Sequence, residues 1–195
     1  MNKFEYALPK KLDDAFAFNE GVASRFKAGG VDLLDLMKEG IIAPQRLINI
    51  NGLDELKFIK SDPDGGVRIG PNTTLAELAE NESLRRHYRA LAQSAESAAT
   101  PQIRNVATLG GNLCQRPRCW YFRSKDFNCL RKGGETCFAD EGENKYHAIL
   151  GNQDGCVIVH PSATAVALMA LNGKLRIASQ KAERYIPIED FFVAP

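Results

Sequence analysis

Lys27 to Lys38 reads KAGGVDLLDLMK. Two adjacent glycines stand between a short strand, Ser24 to Ala28, and a helix carrying Asp32, Leu33, Leu34, Leu36 and Met37 at helical spacing. Gly40 sits where a helix C-terminus favours glycine. Glycines at a strand–helix junction let backbone approach a ligand closely, and the helix start offers free N–H groups to an anion such as a pyrophosphate. The same pattern also describes a tight turn with no ligand, and on spacing alone the two readings are about equal.

A second loop has the same character. Thr100 to Gln115 reads TPQIRNVATLGGNLCQ, a helical turn expected to run into a Gly110-Gly111 bend. Asn105, Thr108 and Asn112 are suited to sugar or phosphate oxygens, but they also serve as local caps. Neither loop has the Gly-x-Gly-x-x-Gly or Walker spacing, which disfavours a Rossmann or P-loop site.

Outward from these loops the pattern mixes helix and strand. Leu12, Ala15 and Phe16 mark an amphipathic helix. RLINI (Arg46 to Ile50) alternates as a strand, with Lys57 to Lys60 expected to pair near it. Asp62-Pro63-Asp64-Gly65-Gly66 is a turn, followed by a strand over Val67 to Ile69. Thr73 or Thr74 caps a helix with Glu77 at capping-box distance. His87 to Ala99 reads as one longer helix, and Ser162 to Leu171 as another. Strands are expected at Lys174 to Ala178 and from Arg184.

The net charge of +1 gives no reason to expect nucleic acid as a partner. No apolar run is long enough to span a bilayer, and the first residues lack a signal-peptide core, so a cytoplasmic location is expected, or a periplasmic one by co-export with a signal-bearing partner. The apolar finish, Phe191 to Pro195, reads as a cut or early stop.

All five cysteines fall between Cys114 and Cys156. An odd, clustered set points to a metal or cluster site rather than a disulfide framework. The favoured ligand spacing is Cys119-x9-Cys129-x7-Cys137-x18-Cys156, since a [4Fe–4S] cluster takes four thiolates. Zinc also takes four cysteines, and spacing leaves it open. The nearby cations Arg116, Arg118, Arg123, Lys125, Arg131 and Lys132 read first as a solvated face. His147 reads first as an ordinary solvated residue and second as a hydrogen-bonding neighbour of a cluster. Trp120, Tyr121 and Phe122 are suited to packing over one.

KAGGVDLLDLMK and TPQIRNVATLGGNLCQ together resemble the two flavin-contacting segments of the FAD-binding subunits of molybdenum hydroxylases, the xanthine dehydrogenase family. RIGPNTTLAEL (Arg68 to Leu78), HPSATAVALMALNGKL (His160 to Leu175) and RYIPIEDFF (Arg184 to Phe192) are similar to the same family, so the resemblance covers essentially the whole chain. It implies an α+β, two-part FAD-binding domain of the vanillyl-alcohol-oxidase (PCMH) type. The parts would be residues 1–60 and 61–195, with an insert at 114–156 and without the family's C-terminal domain.

The resemblance further implies FAD contacts at Phe26, Lys27, Ala28, Gly29, Gly30, Val31, Asp32, Leu33 and Leu34. A second set is Ile103, Arg104, Asn105, Thr108, Gly110, Gly111, Asn112 and Gln115, with more at His160, Arg184 and Ile186. Many relatives carry an Asp just after the position of Ser162, where Ala163 stands here. The insert resembles that of the flavin subunits of 4-hydroxybenzoyl-CoA reductase and a bacterial aldehyde oxidoreductase. It implies Cys119, Cys129, Cys137 and Cys156 as [4Fe–4S] ligands and Cys114 as a spare thiol. The implied partners are a molybdenum-cofactor catalytic subunit and a [2Fe–2S] subunit, and the implied role is electron transfer between iron–sulfur centres, FAD and an external acceptor. The alternatives are a zinc-stabilised, non-catalytic binding module and a truncated flavin subunit.

Overall fold

The computed structural model describes residues 1–63, 65–151 and 155–193. Asp64 of the expected turn, residues 152–154 of the insert, and Ala194 and Pro195 of the apolar finish lie outside the described residues.

The chain begins β1 (Glu5–Ala7), α1 (Leu12–Ala17), β2 (Ser24–Lys27), α2 (Val31–Lys38), β3 (Arg46–Asn49). The three strands form a parallel sheet in the order β1-β3-β2. Parallel neighbours need crossover connections, which α1 and α2 supply. β3 lies in the centre, and its Leu47 and Ile48 are both buried although they point to opposite faces. A parallel strand covered on both faces has this continuous apolar core. Ala15 of α1 and Leu53 pack against Ile48.

The segment expected to pair with RLINI does not. β4 (Ile59–Ser61) pairs antiparallel with β5 (Val67–Ile69) instead. The turn between them closes locally, with the Asp62 N–H donating to the Gly66 carbonyl at 2.7 Å. A short loop costs little closure entropy, so the hairpin prevails over a distant partner.

The second half is mainly helical. α3 (Leu75–Glu80) starts with the expected capping box: the Thr74 hydroxyl accepts from the Glu77 N–H at 3.2 Å, and Glu77 accepts from the Thr74 N–H at 2.9 Å. The single helix expected over His87 to Ala99 is instead α4 (Glu82–His87) and α5 (Arg89–Ser97). Tyr88 breaks the run at φ −130°, and its hydroxyl donates to the Gly65 carbonyl at 3.0 Å. α6 (Pro101–Arg104) and α7 (Leu109–Leu113) follow, so Gly110 and Gly111 lie inside a helix rather than at a bend. Beyond α8 (Trp120–Arg123) and the rest of the insert come α9 (Ala163–Ala170) and the hairpin β6 (Lys174–Ala178)–β7 (Glu183–Pro187). Leu75, Leu78, Leu84, Ala95, Leu109 and Ala165 join α3, α4, α5, α7 and α9 in one core. The boundary expected at residue 60 falls within β4. No helix among the described residues is long and apolar enough to cross a membrane.

Candidate functional site

The two glycine loops meet. A Cβ on Gly29 would lie 1.8 Å from the Val106 carbonyl oxygen, so only glycine permits this approach. Gly30 begins α2 with φ +81°, a conformation that side chains disfavour, and no side chain caps the helix. The first N–H groups of α2 therefore lack both intrahelical acceptors and a cap. α7 differs: the Thr108 hydroxyl accepts from the Gly111 N–H at 3.2 Å. The second loop is pinned from behind, with the Leu75 N–H on the Ala107 carbonyl and the Leu109 N–H on the Thr73 carbonyl, each at 2.8 Å.

Around the junction opens a cleft of about 880 Å³, within the range of cofactor sites. The first loop lines it with Phe26, Lys27, Ala28, Gly29, Gly30, Val31, Asp32 and Leu33, and the second with Ile103, Thr108, Gly111, Asn112 and Gln115. Leu34, Arg104, Asn105, Gly110, His160, Arg184 and Ile186 stand outside that lining. Leu34 packs beside Gly30. Arg104 donates to the Ala98 carbonyl at 3.0 Å, and the Gly110 N–H donates to the Pro71 carbonyl at 2.9 Å. Arg184 and Ile186 pair with Ile177 and Leu175 in the last hairpin. The His160 ring lies 4.2 Å from Phe192. Desolvation, reinforced by Arg131, pushes the His160 imidazole pKa down, against a backbone hydrogen bond to Ser162. Asn112 is engaged structurally as well: its Oδ1 accepts from the Ser162 and Thr164 hydroxyls, both at 2.6 Å, which ties the second loop to α9.

The insert is strapped to α2 by charge. Asp32 accepts from Arg118 at 2.7 Å, from Arg123 at 2.6 Å and from the Arg116 N–H at 2.8 Å. Arg123 also reaches Asp35 at 3.2 Å and is only 10% exposed. Lys132 donates to the Tyr121 and Ser124 carbonyls. Arg116, Arg118 and Lys125 remain exposed, as a solvated face requires, while Arg123, Arg131 and Lys132 are half-buried; of the six, Arg118 and Arg123 pair with acids of α2. Asp32 borders the cleft with its carboxylate already occupied.

Cys119, Cys129, Cys137 and Cys156 line one small chamber, together with Tyr121, Phe122, Phe138 and His147. Cys114 instead borders the cleft. Cys119, just ahead of α8, and Cys156, at the end of the insert, reach this chamber together. Desolvation raises the Cys119 thiol pKa; backbone N–H groups of Phe122 and Tyr121 oppose this, and nearby Cys129 and Cys137 add to it. Cys129 is buried with Phe122 and Leu36, which seats the chamber on α2. Tyr121, Phe127 and Phe138 form an aromatic group with centroids 4.9–6.1 Å apart. Trp120 stacks edge-on against His147 at 5.1 Å. His147 is not an ordinary solvated side chain: both of its ring nitrogens are buried without a hydrogen-bond partner.

The cleft and the chamber share a wall. Phe122 and Arg131 line both. Sequence reasoning treated Arg131 as one basic residue among six and missed its position; its place between Cys129 and Cys137 was the available signal. Ile41, Ile42 and Pro161 also line the cleft, and nothing in their local pattern marked them.

The comparisons with known proteins agree with this architecture. The family described as the FAD binding domain in molybdopterin dehydrogenase matches residues 2–195. The aldehyde oxidoreductase FAD-binding subunit PaoB of Escherichia coli (strain K12) is 40% identical over 174 residues, covering 88% of this chain and 54% of that subunit. The carbon monoxide dehydrogenase medium chain of Hydrogenophaga pseudoflava is 34% identical over 144 residues, covering 73% of this chain and 48% of that one. In structure, a carbon monoxide dehydrogenase from Hydrogenophaga pseudoflava that lacks the Mo-pyranopterin moiety superposes with a TM-score of 0.71 at 24% identity, over 98% of this chain and 53% of that one. Quinoline 2-oxidoreductase from Pseudomonas putida 86 superposes with a TM-score of 0.69 at 19% identity, over 97% and 52%. These two likenesses establish the mixed α/β fold.

The chain belongs to the family of FAD-binding subunits of molybdenum hydroxylases, the xanthine dehydrogenase family. It spans about half the length of the relatives it matches.

Proposed function

We propose that this chain is the electron-transfer part of a molybdenum-containing hydroxylase of the aldehyde oxidoreductase type. FAD lies in the cleft, and a [4Fe–4S] cluster is held by Cys119, Cys129, Cys137 and Cys156. The observation that carries the reading is the convergence of these four cysteines on one chamber whose wall is also the wall of the flavin cleft. The partners are a molybdenum-cofactor subunit and a [2Fe–2S] subunit, by analogy with relatives named as dehydrogenase and oxidoreductase subunits.

The donor chemistry of the residues suits both groups. The uncapped start of α2 and the Gly29 approach provide backbone N–H groups and close access for a diphosphate. In the chamber, both nitrogens of His147 and Nε of Arg131 lack hydrogen-bond partners, and cluster sulfur would accept from the Arg131 Nε–H and from the protonated nitrogen of His147. No group of three or more His, Cys, Asp or Glu among the described residues is placed to hold a single metal ion. A zinc-stabilised binding module is disfavoured by membership of a flavin-binding family.

When bound, the two cofactors carry electrons one or two at a time. The chain's own residues bind, orient and exclude water: Tyr121, Phe122 and Phe138 wall the chamber, and Asp32 with Arg118 and Arg123 holds the insert against α2. The test is anaerobic purification of the chain with its partner subunits, followed by flavin, iron and zinc counts and EPR of the reduced protein. One flavin and about four irons per chain beyond the partner's [2Fe–2S] content are expected. Flavin without the additional iron would remove the cluster; absence of both would remove the whole reading.

A further inference from the structure

Arg131 is the one side chain of the shared wall that carries a charge. Its Nε is buried without a hydrogen-bond partner, and among the described residues no acid pairs with its guanidinium. Its neighbours are handled differently. Arg118 and Arg123 are paired with Asp32, Lys132 lies on two carbonyls, and Arg116 sits over the Phe122 ring at 5.3 Å. An unpaired cation with a sealed N–H is costly unless an anionic partner completes it. On one side lie four thiols, an anionic set once they hold a cluster; on the other lies the cleft proposed for FAD, whose ring system gains negative charge on reduction.

We propose that Arg131 is a shared counter-cation of the two redox groups, so that one side chain sets the reduction potentials of both. The inference rests on the flavin-and-cluster reading above. A cation held beside a redox centre stabilises its reduced, more negative form and raises its potential. Because Arg131 borders both spaces, its removal lowers both potentials together. This role is electrostatic positioning; Arg131 is not a ligand. Phe122, the other residue of the wall, supplies no charge.

The test is a redox titration of the assembled complex followed by EPR and visible absorption, comparing wild type, Arg131→Gln and Arg131→Lys. Arg131→Gln is expected to keep flavin and iron while shifting each equilibrium by about tenfold toward the oxidised form, about 59 mV for a one-electron step. Arg131→Lys is expected to restore most of the shift, since it retains the charge. If Arg131→Gln loses iron, the flavin potential is compared alone, and an unshifted flavin overturns the inference. A loaded Arg131→Gln with unchanged potentials, or with only one changed, overturns the inference. Loss of iron from both variants does so too, because shape rather than charge would then be what matters. Wild-type complex without the additional iron removes the underlying reading, an outcome distinct from any change between variants.

Discussion

The flavin cleft and the cysteine chamber adjoin, yet they are built in opposite ways. The cleft is made of backbone. Two of its polar side chains are engaged elsewhere: Asn112 with Ser162 and Thr164, and Asp32 with three donors of the insert. What it leaves open is the start of α2. The chamber is made of side chains and leaves them unsatisfied, with four thiols, both nitrogens of His147 and Nε of Arg131. A backbone site tolerates changes to many side chains but not an added Cβ. A side-chain site should behave in reverse.

The chamber yields the largest effect. Cys129→Ser is expected to remove nearly all iron of the proposed cluster while leaving flavin bound, because Cys129 is the buried member of the set and serine is a poor substitute for a thiolate. Cys114→Ser, on the cleft side, is expected to leave iron unchanged. Iron and flavin counts on the two variants check both statements, and iron loss in Cys114→Ser would redraw the ligand set.

Gly29→Ala reverses the pattern. The added Cβ would lie 1.8 Å from a carbonyl oxygen of the other loop, and relieving such overpacking costs about 1–3 kcal/mol. Flavin content should fall with stability, since the loops that separate are those of the cleft. Gly52→Ala is the control, with open space around the new Cβ. Equal flavin loss in the two variants would show that the loop junction is not special.

Asp32→Asn probes the strap between the regions. Asp32 and Arg123 are 13% and 10% exposed, and charged hydrogen bonds of this kind contribute about 2 kcal/mol. A lower urea midpoint with flavin content retained is expected, because the carboxylate faces the insert. Flavin loss out of proportion to stability would mean that it serves the ligand instead.

The same contrast explains what was legible in the sequence. Local chemistry could be read: the strand–Gly-Gly–helix order, the Thr74–Glu77 capping box, the Ser162-led helix. These depend on neighbours within a few residues. The cleft was only half legible. The first loop, Phe26 to Leu33, is continuous in sequence and lines the cleft as a block, but the second enters by alternate residues set by helix geometry, which drops Arg104, Asn105 and Gly110 from the lining. Tertiary competition defeated the rest. Lys57 to Lys60 found a closer partner than RLINI, Tyr88 broke a periodic helix, and the basic insert met acids that lie some 80–90 residues earlier. The cysteine spacing marked a site without distinguishing zinc from a cluster; the shared wall at Arg131 has no signature in one dimension.

The smallest effect is expected at the start of α3, behind the second loop. Thr74→Ala removes the hydroxyl that accepts from the Glu77 N–H, a change that costs about 1 kcal/mol. The pH dependence adds a check. Desolvation pushes the Glu77 carboxyl up, but Lys57 and the Thr74 N–H and hydroxyl outweigh it and hold the pKa below its ordinary value. A carboxyl with a depressed folded pKa contributes stability that is present above its unfolded pKa and is lost as pH falls through the folded value. The Thr74→Ala variant loses the hydroxyl contact and keeps the backbone N–H, so the gap between wild type and variant should be fullest near neutral pH and narrow as the solution is acidified past the ordinary carboxylate range. Chemical denaturation at several pH values measures this directly. A gap that stays constant with pH would assign the cost to the hydroxyl's cap alone, and would show that Lys57, at 2.9 Å, holds Glu77 without help from Thr74. Flavin and iron content should be unchanged throughout, since α3 meets the cleft only through buried Leu75.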